Sequence, residues 1–154
     1  MLRFVRLKLV AGAALVLTLQ SAALIQPDGQ TVEIRVLFLN GNTGQALRNT
    51  QVVAHDNSAD SNLGQPKILL TDADGIVRIA VEPGSLVRAF VDRYYIRSCE
   101  DSSIAGQRLF DANQIIATGI VEKSTCKMQS PPAEPGLLVR IVRKSTFREA
   151  LGEN

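Results

Sequence analysis

The stretch Lys67–Asp92, KILLTDADGIVRIAVEPGSLVRAFVD, constrains the fold of this chain more than any other. Three β-rich runs, Ile68–Thr71, Ile76–Val81 and Leu86–Val91, are separated by Asp72-Ala73-Asp74-Gly75 and by Pro83-Gly84. Asp-Gly between apolar runs supplies the positive φ that a tight hairpin turn needs. Pro-Gly presets one φ angle and leaves the next residue free for a left-handed one. The expectation is a three-strand antiparallel meander at the centre of an all-β protein.

The flanks repeat the pattern. Thr31–Leu39 alternates Val32, Ile34, Val36 and Phe38 with Glu33 and Arg35, a half-buried strand. Asn40-Gly41-Asn42-Thr43-Gly44 closes it, and a second strand follows around Gln51–His55. Asp56–Pro66 is a polar, aperiodic connection long enough to be either a flexible connection or a binding loop. Beyond Asp92, a strand leads to Cys99, and Phe110–Gly119 reads as a short helix capped by Asp111 and closed by Gly119. A strand through Ile115–Val121 is the alternative. Pro131–Gly136 is a stiff connection into a last strand, Gly136–Val142, with Leu137, Val139 and Ile141 on one face, and Thr146–Leu151 adds a helical turn. Together these predict a seven-stranded antiparallel β-sandwich with one short helix near residues 111–118, ahead of a five-strand barrel. The sequence contains no internal repeats.

The first residues do not belong to that fold. Arg3, Arg6 and Lys8 precede the apolar run Leu9–Leu19, and Ser21-Ala22-Ala23 offers small residues before a cleavage point. That is the pattern of a secretory signal peptide over residues 1–23, leaving 24–154 as one domain. The apolar run is shorter than the ~20 residues of a membrane span, so no span is expected after cleavage. The leader holds three basic and no acidic residues, so 17 Lys and Arg fall to 14 against 15 Asp and Glu, a formal −1. Nucleic acid is therefore not an expected partner. The locally basic run Arg140, Arg143, Lys144 and Arg148 reads as a solvated face. Export, periplasmic or extracellular, places Cys99 and Cys126 where an even pair forms a disulfide.

The residues from Val32 to about Val91 resemble the carboxypeptidase regulatory-like domains, which are similar in fold to transthyretin and to the B-type repeats of surface adhesins. Gly44, Leu47, Val52, Thr71, Asp72, Gly75, Pro83 and Gly84 carry the resemblance. It implies a sandwich and a module that is usually non-catalytic. The tail resembles that of longer single-domain secreted bacterial members. The Lys–Asn crosslink of the adhesin repeats is not expected, because the first strand has no Lys and Gly136–Val142 no Asn. The transthyretin-related hydrolases end in Tyr-Arg-Gly-Ser, whereas this chain ends Leu-Gly-Glu-Asn.

Catalytic and metal patterns are absent from the sequence. No G-x-S-x-G, H-E-x-x-H or P-loop occurs, and His55 is the single histidine. Asp72 and Asp74 invite a calcium loop, but its first and twelfth ligand positions would fall on Leu70 and Val81. Asp72, Asp74, Gly75, Pro83 and Gly84 are thus structural turn residues, with no metal and no cofactor expected. Candidate binding residues are His55, Asp56, Asp60, Tyr94 and Tyr95, around the Asp56–Pro66 loop and an adjacent aromatic pair. The expected function is a secreted or periplasmic binding or structural module contacting a glycan, an envelope polymer or a protein. A small hydrolase using His55 with loop carboxylates, or an envelope assembly subunit pairing through a strand edge, are the competing classes.

Overall fold

The computed structural model describes residues 30–57, 65–93, 95–100, 108–146 and 149. The leader, residues 58–64 of the Asp56–Pro66 connection with Asp60, Tyr94, and all of the expected Thr146–Leu151 turn but Thr146 and Glu149 lie outside them. Nine strands and one helix are found among the described residues: β1 (Val32–Asn40), β2 (Gln51–Asn57), β3 (Lys67–Leu70), β4 (Ile76–Val81), β5 (Leu86–Val91), β6 (Ile96–Ser98), β7 (Phe110–Asp111), α1 (Ala112–Thr118), β8 (Ile120–Val121) and β9 (Leu137–Lys144). One sheet runs β4-β1-β9-β6 with β8 also on β9, and the other runs β3-β2-β5-β7.

The expected meander is corrected by this topology. β3 and β5 both pair with β2, while β4 pairs with β1 in the opposite sheet. Each turn of the central stretch therefore carries the chain across the sandwich instead of folding it back as a hairpin. The turn chemistry is as expected, and its use differs. Asp72 Oδ1 accepts from the N–H groups of Asp74 and Ile76, both at 2.9 Å. Asp72 N–H then donates to the Ile76 carbonyl, and Gly75 offers its carbonyl to Phe38 N–H of β1. The turn is anchored to the next strand's sheet. Alternation cannot distinguish the two outcomes, because a strand has the same period whichever sheet it joins.

The sandwich is also mixed, where an antiparallel one was expected. β1 and β9 run parallel, from Arg35 opposite Leu137 to Asn40 opposite Val142, and β8 joins β9 in parallel as well. Such pairing needs long crossovers, and most of the chain lies between β1 and β9.

The core forms where the inward positions of both sheets meet. Ile34, Val36 and Phe38 of β1, Val77, Ile79 and Val81 of β4, and Leu138 and Val142 of β9 face Val52, Ala54, Val87, Ala89 and Val91. α1 closes one end with Ala112 and Ile115; Asp111 caps it through a 2.8 Å bond from Asn113 N–H, and Gly119 ends it, as expected.

The five-stranded sheet is also covered on its other face over β9 and the end of β1. Leu39, Leu137, Val139 and Ile141 form a second cluster with Cys99, covered by Val121, Cys126 and Met128. The Cys99–Cys126 disulfide, with Cα atoms 5.5 Å apart, pins this covering segment to the end of β6. Closing a loop over a separation of 27 residues constrains the unfolded chain by about 3–4 kcal/mol in the loop-entropy picture. Gly41 passes so close to the bridge that a Cβ there would collide with Cys99 Sγ.

Two turn glycines separate backbone conformation from space. Gly75 (φ +77°) and Gly84 (φ +85°) are both left-handed, but only Gly75 is crowded: an added Cβ would lie 2.8 Å from Ala46 Cβ. Gly75→Ala should therefore cost about 2–3 kcal/mol and Gly84→Ala about 1 kcal/mol, measured as shifts in urea-unfolding free energy. Equal costs would show that crowding at Gly75 is relieved by small movements.

Candidate functional site

Of the charged residues in β9, Arg140 and Arg143 depart from the expected solvated face. The burial pattern of β9 is continuous through Val142, so its inward-facing Arg140 lies between Leu138 and Val142 in the core. Its side chain and that of Glu122 are both 0% exposed, with Arg140 Nε 3.2 Å from Glu122 Oε2. The guanidinium also sits 4.7 Å from the centre of the Phe110 ring, which Arg108 approaches at 5.3 Å.

Glu122 is placed there by the edge of β9. β8 pairs with Leu138 and Val139, and Glu122 N–H continues that ladder to the Val139 carbonyl. β6 occupies the same edge further on, at Val142 to Lys144. Between them Ile141 N–H has no strand opposite, and Glu122 Oε2 accepts it at 2.9 Å. Ser98 Oγ donates to Oε1 at 3.4 Å. Burial pushes the Glu122 carboxyl above its ordinary value, against the pull of Arg140 and the Ile141 N–H. With no exposure on either partner, this cluster is a scaffold and does not reach a solute.

Arg143 is half-buried and grips Glu149 through two bonds of 2.7 and 2.6 Å. Glu149 and Thr146 form a reciprocal capping pair: Thr146 N–H donates to the carboxylate at 2.7 Å, and Glu149 N–H donates to Thr146 Oγ1 at 3.3 Å. The bonds from Arg143 and Thr146 hold the Glu149 carboxyl far below the ordinary glutamate range.

The outer face of the four-stranded sheet is the candidate binding surface. Because Val52, Ala54, Val87, Ala89 and Val91 point inward, strand alternation turns Val53, His55, Arg88 and Phe90 outward. His55 stands opposite Arg88, and Val53 stands between Ile68 and Phe90. The His55 and Phe90 rings stack with centroids 6.1 Å apart and planes 12° from parallel. Ile68 and Leu70 on β3 are 65% and 63% exposed, and Leu86 lies at the other side of the same face.

Asp56 is not part of this surface. Its carboxylate is on the inward side at the rim, where Oδ2 accepts from Glu82 N–H at 3.2 Å and Oδ1 is buried with no hydrogen-bond partner among the described residues. Adjacent strand residues face opposite ways, so His55 and Asp56 do not converge. Tyr95 precedes β6 and packs half-buried against the core, accepting from Arg93 at 2.8 Å. Arg88 and Phe90 escape sequence reasoning because β2 pairs with β5 across two intervening strands. Among the described residues, no three His, Cys, Asp or Glu side chains cluster to hold a metal, and no helix is long and apolar enough to cross a membrane. The disulfide suits an oxidising compartment. No protein-family model, curated protein or solved structure matches the chain.

Two predictions follow from the buried charges. Arg140→Met should cost about 3–5 kcal/mol, because it leaves a carboxylate in the core without its counter-charge. Adding Glu122→Gln should restore much of that loss, since an amide oxygen still accepts the Ile141 N–H and needs no cation; additive costs in a denaturation cycle would refute the pairing. For Glu149, whose folded value is depressed, the stabilising tie is present above the ordinary glutamate value and is lost as pH falls through the folded one. The stability difference between the native chain and Glu149→Gln should be largest near neutral pH and vanish in strong acid.

Proposed function

We propose that this chain is an exported, non-catalytic binding or structural module of the carboxypeptidase regulatory-like, transthyretin-like type. It contacts a glycan, an envelope polymer or a protein of the cell envelope through the outer face of its four-stranded sheet. One observation carries the reading: a second apolar cluster covers the outer face of the five-stranded sheet over β9, whereas the outer face of the four-stranded sheet carries exposed Ile68, Leu70 and Leu86. Exposed apolar side chains grouped on one face, beside a guanidinium and an aromatic stack, suit recognition better than solubility.

The motif positions support the type. Thr71 Oγ1 accepts from Thr50 N–H at 2.9 Å and donates to the Leu47 carbonyl, Asp72 builds the turn, and Gly44, Gly75 and Gly84 all have positive φ. The separation of His55 from Asp56 favours binding over hydrolysis.

A screen of the oxidised protein against envelope glycans and envelope-protein extracts should yield a ligand, its two arms separating the two sources. Phe90→Ala and Arg88→Ala should each weaken that binding about tenfold or more, a loss of ~1.4 kcal/mol, with folding retained. A ligand bound equally well by both variants would move the site off this face.

A further inference from the structure

We propose that β3 is a self-pairing edge, through which two copies of this chain join their four-stranded sheets into one antiparallel sheet of eight strands. β3 is the last strand of its sheet, bonded on one side to β2. At its end, Thr71 N–H donates to the Thr50 carbonyl and the Thr71 carbonyl accepts from Asn49 N–H, so Thr71 faces β2. Strand alternation then turns Leu69 and Lys67 toward β2 and leaves the N–H and C=O of Ile68 and Leu70 pointing out of the sheet. Among the described residues, no backbone hydrogen bond outside the sheet uses these groups.

The open segment is bracketed. Pro66 on one side has no N–H to give, and on the other the Asp72 N–H is already spent on the Ile76 carbonyl. A second copy has one register that satisfies everything between those limits. With the two-fold axis through Leu69, Ile68 of each copy faces Leu70 of the other, and the four free N–H and four free C=O groups split between two hydrogen-bonded pairs. Centring the axis on Ile68 would set Leu70 against Pro66, and centring it on Leu70 would set Ile68 against Asp72. Each alternative wastes a donor.

Side chains and charge agree with that register. Ile68 and Leu70 are the two most exposed large apolar residues described, and the pairing covers both against each other. Lys67 precedes the pairing segment and Asp72 and Asp74 follow it, so antiparallel pairing brings each basic end to the other copy's acidic end. The other long edge is guarded: β4 carries exposed Arg78, held 3.8 Å from Glu33 and 3.5 Å from Asp72. A charge on the face of an edge strand blocks sheet-to-sheet pairing, and β3 has none on the face that carries Ile68 and Leu70. With so few side chains at the contact, the dimer belongs to the weak, concentration-dependent class.

The test is sedimentation equilibrium of the oxidised protein from about 10 μM to about 1 mM, the range where contacts this small associate. It is paired with amide-exchange NMR at both limits. The expected result is a mass that rises from monomer toward dimer. Exchange at Ile68 and Leu70 should slow about tenfold when nine molecules in ten are paired, with no such change along β4. I68K/L70K, at exposed positions, should keep the thermal midpoint and remain monomeric throughout. I68P should also remain monomeric, because it removes a donor that points away from β2. A monomer at every concentration overturns the proposal, as does a dimer that persists in I68K/L70K or leaves both amides unprotected. Protection of these amides only after adding envelope extract would assign the edge to a foreign strand and overturn it equally.

Discussion

The structure depends on one junction in the sheet, where the N–H of Ile141 has no strand opposite it. β9 lies at the centre of its sheet with β1 along one edge, while its other edge is shared by two short strands of opposite direction. Parallel β8 and antiparallel β6 cannot merge without leaving a gap, and a buried N–H in that gap would cost on the order of 1–3 kcal/mol. Glu122 fills the gap with a carboxylate, which introduces a negative charge into the core. Arg140 answers that charge from the next inward position of β9, and Phe110 offers a ring face to the guanidinium. The ion pair is thus the consequence of a topological junction, and burying it is tolerable because every step supplies the partner the previous one lacks.

That chain of causes explains what could be read from the sequence. Strands β4 and β5, the helix with its Asp111 cap and Gly119 stop, and the disulfide are local or compositional signals, and they are where the residues put them. The sheet to which each strand belongs is not local. Asp72-Ala73-Asp74-Gly75 specifies a sharp turn whether the next strand returns to its neighbour or crosses to the other sheet. Arg140 shows the same limit more sharply. Alternation assigned Leu137, Val139 and Ile141 to a buried face, which they occupy, and so assigned Arg140 to solvent. A strand buried on both faces breaks that inference, and nothing in GLLVRIVRK marks which arginine has a distant glutamate waiting. The candidate face was hidden for a related reason: His55 and Phe90 meet only because β2 skips two strands to pair with β5.

The second layer over the five-stranded sheet determines where function can reside. The segment following β8 crosses that sheet's outer face, bonding Met128 N–H to Gly41 and Thr125 N–H to Cys99, and the disulfide fixes it there. Arg35 and Glu134, 3.7 Å apart, extend the cover toward the start of β9. Over β9 this sheet has little outer face left to offer, while Glu33 and Arg78 keep the β1–β4 side charged and exposed.

The other sheet is left with an open face and an open edge, and the two share residues. Ile68 belongs to the row that runs through Val53 to Phe90, and it also carries edge backbone groups with no backbone partner among the described residues. Pairing two copies through Leu69 would therefore lengthen the face across the axis, placing two His55–Phe90 stacks on one continuous surface. A repeating polymer held weakly at each stack would then be held by both, and the second contact would be intramolecular. On this view the weakness of each contact is useful: the short edge and the single face would reinforce one another where the protein and its ligand are both concentrated.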